Sequence, residues 1–318
     1  MRRLAFLMVV LLLAAPAVGA RADDNPLNAV VEIRSSVPAD ARTAGYLGKQ
    51  RAGGGILIDS SGLILTVGYL IMESDEVWVI DPSANRVPAE TVAYDHETGF
   101  GLIRALAPLA ATPARLGSAD GLTEGDTLLA AGPGYARSTV LVGIRSFAGR
   151  WEYLLENALY TSPPIPNFSG AALFATDGRL VGVGSLILGD VGGGLPGNLY
   201  VPVDLLPPIL GDLLAFGRAT TPAQPWIGLY PDEVDGALVV SRVAQGGPAQ
   251  TAGIGPGDVI LGIGGEPVGD MEQLWRKVRD LGSAGVEVPL KVLGGSGVRD
   301  VVLTSRDRRG WLKLERSY

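Results

Sequence analysis

The chain of 318 residues contains no cysteine and only one histidine. The first absence excludes disulfides, thiol nucleophiles and thiolate metal sites, and the two together exclude zinc centres built from cysteine or from several histidines. A basic patch is also missing. Lysine and arginine number 26 against 33 aspartate and glutamate, a net charge of −7, so the chain lacks the positive footprint that phosphate backbones require and no nucleic acid partner is expected. No carboxylate spacing matches a calcium loop, and neither metal nor cofactor is expected. Beyond the amino terminus no apolar run is long enough to span a bilayer.

What is present is a globular, turn-rich composition: 47% hydrophobic residues, with 45 glycines and 22 prolines scattered without period. The length predicts two domains. At the start, Arg2 and Arg3 precede an apolar stretch over 4–18, and Gly19, Ala20 and Ala22 follow. This pattern predicts a secretory signal peptide over 1–22, cut after Ala20 or after Ala22, and hence a periplasmic or extracellular protein. Left uncut, the same stretch would act as a membrane anchor. The lack of cysteine fits an oxidising cell envelope.

From 27 to 205, short aliphatic runs alternate with turn signals, the signature of an all-β unit. Residues 56–58 and 63–65 around Asp59-Ser60-Ser61-Gly62 predict one hairpin, and 171–174 and 180–183 around Asp177-Gly178 a second. Further strands are expected at 77–80, 89–94, 128–131 and 140–144, and a closing helix over 203–216. A polar, proline-bearing linker occupies 218–225. Beyond it the pattern predicts a small α+β module, with strands at 237–243, 259–263, 286–292 and 300–304. Its helix spans 271–281, capped by Asp270 with Gln273 three residues on. The domains are thus expected at 23–217 and 226–318.

Ser169, in Asn167-Phe168-Ser169-Gly170-Ala171, precedes the second hairpin and is the candidate nucleophile. With this segment, Gly53-Gly54-Gly55-Ile56-Leu57-Ile58-Asp59, Gly62-Leu63-Ile64-Leu65-Thr66, Glu124-Gly125-Asp126 and Gly253-Ile254-Gly255-Pro256-Gly257-Asp258, the chain resembles the HtrA/Deg family of envelope serine proteases. The resemblance implies a mainly β fold, a chymotrypsin-like double β-barrel followed by a PDZ domain. In that family the catalytic histidine stands three residues after the threonine corresponding to Thr66, where this chain has Tyr69. The catalytic aspartate corresponds to Gly99, and the glycine two residues before the serine to Asn167.

These departures bear directly on chemistry. A serine hydroxyl needs an adjacent base; tyrosine, with a reference pKa near 10, is neutral and cannot serve; glycine cannot orient a base. An oxyanion loop of Asn167 and Ser169, preceded by Pro163, Pro164 and Pro166, would have to aim its amides correctly. The expectation is a pseudoprotease, with Tyr69 filling the vacated cleft. The alternative is an active endopeptidase using Ser169 with an unusual or partner-supplied base. His96, between Asp95 and Glu97, is expected as a solvated loop histidine whose flanking carboxylates raise its pKa.

Gly192-Gly193-Gly194-Leu195-Pro196-Gly197 matches a dinucleotide fingerprint only formally, since no helix is expected to open from it. The resemblance makes it a loop beside the specificity pocket. It also implies that Trp226, Ile227, Gly228 and Leu229 form the backbone loop that captures a peptide carboxylate, faced by the helix 271–281. C-terminal or unfolded polypeptides are the expected partners, and homo- or hetero-trimers the expected assembly.

Overall fold

The computed structural model describes residues 25–314; the expected signal segment over 1–22 lies outside them. Six strands close a first barrel in the order β1-β2-β3-β6-β5-β4: β1 (Val30–Ser36), β2 (Gln50–Leu57), β3 (Leu63–Val67), β4 (Glu76–Ile80), β5 (Arg86–Tyr94) and β6 (Phe100–Ala105). Six more close a second barrel in the order β10-β11-β12-β9-β8-β7: β7 (Thr127–Gly132), β8 (Tyr135–Gly149), β9 (Tyr153–Ser162), β10 (Ala172–Phe174), β11 (Leu180–Leu188) and β12 (Gly197–Pro202). Closure leaves neither sheet with a free edge.

The period of two along a strand explains how the barrels join. In β3 every residue is buried, because Leu63 and Leu65 face the seam between the barrels while Ile64 points into the first barrel's own core with Ile33 and Val79. Across the seam stand Tyr153, Phe174, Val183 and Leu199 of the second barrel. The seam is where a site between the barrels is built.

The expected hairpins form with the pairings Ile56 to Leu65 and Leu173 to Gly182. Several boundaries differ. β5 begins at Arg86 rather than after Pro88, which is accommodated at an exposed position. β8 runs to Gly149, five residues beyond the expected end of its strand. The expected helix over 203–216 is a short 3-10 turn followed by the α-helix Pro207–Phe216, since Pro207 lacks an N–H and favours the first helical position.

The C-terminal module is a sheet in the order β13-β14-β15-β17-β18: β13 (Leu229–Val234), β14 (Ala237–Val243), β15 (Val259–Ile263), β17 (Glu287–Gly294) and β18 (Gly297–Thr304), with the short β16 (Glu266–Pro267) on β15. Its helix Met271–Asp280 starts where Asp270 accepts the Gln273 amide at 2.8 Å. Leu274, Trp275 and Val278 are buried on the sheet, and truncating such a side chain costs about 2–5 kcal/mol. One member of this core comes from elsewhere: Leu154, from β9 of the second barrel.

Candidate functional sites at the barrel seam and the carboxylate loop

Ser169 sits on a turn fixed by backbone bonds to both barrels. Its carbonyl accepts the Gly54 amide at 2.7 Å, and the Gly170 amide donates to Gly184 at 2.8 Å. The turn closes through the Ala171 amide on the Phe168 carbonyl at 3.0 Å. The glycine run of β2 follows from this approach. A Cβ on Gly53 would lie 2.7 Å from the Ser169 carbonyl oxygen, and one on Gly54 2.9 Å from that of Gly170.

Tyr69, on the 3-10 turn Gly68–Leu70 after β3, reaches across the seam to this turn. Its hydroxyl lies 2.8 Å from Ser169 Oγ and 2.8 Å from the Ser185 carbonyl. A carbonyl can only accept and tyrosine has one phenolic proton, so Tyr69 donates to Ser185 and receives the proton of Ser169. Ser185 stands at a register shift of β11, between Gly184 and Leu186. Burial pushes the Tyr69 phenol up to about 12 against the opposing hydrogen bond from Ser169. Buried Arg51 pins the turn from behind, donating to the Tyr69 and Met72 carbonyls at 2.8 Å each.

Gly99 comes to the same place, its carbonyl accepting the Gly68 amide at 2.7 Å. Its φ of +79° suits glycine, and Asp95 orders the preceding turn by accepting the Thr98 amide and hydroxyl at 2.8 and 2.7 Å. Tyr69, Gly99 and Ser169 therefore converge as the resemblance implies. Asn167 is exposed, and its side chain donates to the Pro133 carbonyl at 2.8 Å. The glycine-rich loop after β11 is closed by Asp190, which accepts the Gly192 and Gly194 amides at 2.7 and 3.0 Å, and leads into a strand.

His96 corrects an expectation. It is not a solvated loop residue but lines a cavity of about 450 Å³ between the first barrel, Glu152 of the second, the linker and the C-terminal module. It keeps some accessible surface toward that cavity while protein encloses it elsewhere. Arg308 Nη1 lies 2.9 Å from its Nδ1 and 2.7 Å from its Nε2, and the Tyr94 hydroxyl lies 2.8 Å from Nδ1. Burial first, then the Arg308 and Arg279 cations, hold its pKa well below the usual value of 6.5. The flanking carboxylates do not dominate, because a guanidinium occupies the face of the ring.

The second site is the segment 226–229. The Ile227 amide donates to Glu152 Oε2 at 2.9 Å, while the Gly228 and Leu229 amides donate to Oε1 at 2.6 and 2.9 Å. Gly228 has φ +79°, which turns the loop so that successive amides point the same way. Trp226 departs from the expectation. Its amide is engaged with the Arg306 carbonyl at 3.0 Å, and its buried indole packs on Trp311. Glu152, Arg308 and Ser185 carry these arrangements without having been singled out by sequence.

Comparisons with known proteins agree with this architecture. Residues 53–183 match the trypsin-like peptidase domain family, and residues 239–293 match the PDZ domain family. A probable periplasmic serine endoprotease DegP-like of Pseudomonas fulva (strain 12-X) is 30% identical over 257 residues, 73% of this chain and 52% of that protein. The counterpart in Hahella chejuensis (strain KCTC 2396) is 28% identical over 277 residues, 80% of this chain and 56% of that protein. The chain thus spans about half the length of the curated relatives it matches. The solved structure of the HtrA-type protease AlgW with tripeptide superposes with a TM-score of 0.52 at 20% identity, covering 88% of this chain and 94% of that one. A serine endoprotease from Yersinia pestis gives 0.51 at 22% identity over 88% and 94% of the two chains, a likeness of fold.

Proposed function

Because the chain belongs to the HtrA/Deg family, with a trypsin-like double barrel and a PDZ domain, we propose that it is an exported pseudoprotease whose PDZ module captures C-terminal or unfolded polypeptide segments. Its relatives are named periplasmic, and the periplasm is the compartment this reading assigns. There it would act as an adaptor or chaperone in envelope protein quality control, alone or assembled with copies of itself or an active relative.

The observation that carries the reading is the Tyr69 hydroxyl seated between Ser169 Oγ and the Ser185 carbonyl. Peptide hydrolysis by serine requires a neighbour that takes the hydroxyl proton and later gives it to the leaving amine. With a phenol pKa of about 12, roughly one Tyr69 in 10⁵ is ionised at pH 7, too few for a general base. Its proton is committed to Ser185. Gly99 offers no carboxylate to orient a base, and His96 is engaged with Arg308 and Tyr94. Ser169 is left as a hydroxyl that donates to its cap.

The test is fluorophosphonate labelling of folded residues 23–318 beside Ser169→Ala, with casein digestion in parallel. The expected result is no Ser169-dependent labelling and no digestion. Labelling at Ser169 together with cleavage that Ser169→Ala abolishes would establish the endopeptidase alternative instead.

A further inference from the structure

The amides that a PDZ module turns toward a peptide end already hold a carboxylate, and it belongs to the same chain. Glu152 uses both oxygens on the amides of Ile227, Gly228 and Leu229, three hydrogen bonds between 2.6 and 2.9 Å. It sits at the tip of the β8–β9 hairpin of the second barrel. Its φ of +62° is costly for a residue with a side chain, so the hairpin keeps a conformation that its amide contacts must offset.

The rest of the tip lies between β13 and the helix Met271–Asp280. Trp275 Nε1 donates to the Gly149 carbonyl at 2.9 Å, and Arg150 pairs with Asp232 of β13 at 3.1 Å. Ser146 donates to Glu272 at 2.7 Å at the helix start, and Arg279 to the Leu154 carbonyl at 3.1 Å near its end. The hairpin therefore spans the strip between edge strand and helix, with its carboxylate at the loop end, the arrangement in which an extended chain end would lie.

We propose that Glu152 is a tethered ligand of the PDZ module, standing in for the terminal carboxylate of a captured polypeptide, so that a free chain end binds only when the β8–β9 hairpin leaves the groove. This rests on the peptide-capture reading above and names its ligand class: a polypeptide with a free C-terminal carboxylate. An amidated end replaces one of the two acceptor oxygens that the three amides engage with a donor.

The test compares the mature chain with Glu152→Ala and with Glu152→Gln, which keeps the side-chain length but sets a donor against the amides. Hydrogen exchange at 227–229 reads the tether without any peptide. Fluorescence anisotropy reads capture, using fluorescein-labelled decapeptides randomised at the last three positions, with a free C-terminus or amidated. Exchange at 227–229 is expected to rise at least tenfold in both variants, and the free-acid pool to bind them at least tenfold more tightly than the parent, the amidated pool gaining nothing. Unchanged exchange in either folded variant, or equal gains for both pools, would overturn the proposal. Released amides with no peptide bound by any form would uphold the tether and sink the peptide-capture reading.

Discussion

The Tyr153 hydroxyl stands 3.1 Å from the point where a Cβ on Gly99 would lie, while it donates at 2.8 Å to the Thr98 carbonyl. The place that a triad aspartate would occupy is therefore crowded as well as empty of a carboxylate. Aspartate is among the residues that best tolerate a positive φ, so at φ +79° the conformational obstacle is about 1–2 kcal/mol, and crowding adds to it. Tyr69→His with Gly99→Asp is accordingly expected to gain no fluorophosphonate labelling, whereas the same pair with Tyr153→Phe, which removes the crowding oxygen, gains it. Labelling by the pair alone would show that Tyr153 yields.

Tyr69→Phe isolates the cap from the packing of the ring. It strips a donor from the Ser185 carbonyl and an acceptor from the Ser169 hydroxyl, an expected loss of about 1–2 kcal/mol in urea unfolding. Labelling of Ser169 stays absent, because removing the cap supplies no base. A variant as stable as the parent would mean that solvent replaces both bonds at no cost.

His96 gives the fold a proton-linked signature. In the unfolded chain it takes up a proton as pH falls through about 6.5, and in the native chain, facing Arg308, it does not, so this residue subtracts stability as pH drops below 6.5. The slope approaches about 1.4 kcal/mol per pH unit. Glu97 and Glu152, both pushed up to about 7 chiefly by burial, act oppositely: their contribution is full below about 4.5 and is lost as pH rises through 7. The histidine is therefore read as the difference between parent and His96→Gln in urea titrations from pH 7.5 to 5. A difference that stays constant with pH would contradict the native neutral form.

The reach of the sequence followed the range of the interactions involved. Hairpins such as 56–65 were legible because alternation and turn chemistry are local, and the helix after Asp270 because its cap lies three residues from its partner. Tyr69 and Gly99 were legible as departures because the glycine and Ile-Leu-Thr segments around them anchor the alignment. Nothing in Arg150-Trp151-Glu152 marks a ligand, since the amides that receive Glu152 are 75 to 77 residues away. The surroundings of His96 escape the sequence for the same reason: the charges beside it are local, and the guanidinium that meets its ring lies 212 residues on.

Leu154, a barrel residue by strand, is buried in the core of the PDZ module with Leu274 and Val278. Neither domain can melt alone without tearing this side chain from apolar surroundings or dragging the β8–β9 hairpin with it. Heat is therefore expected to unfold residues 25–314 in a single calorimetric transition, with van't Hoff and calorimetric enthalpies equal. Leu154→Ala should split it into two. What would otherwise be two beads on a string behaves as one cooperative body, and any event that frees the hairpin also withdraws the apolar side chain that couples the melting of the two domains.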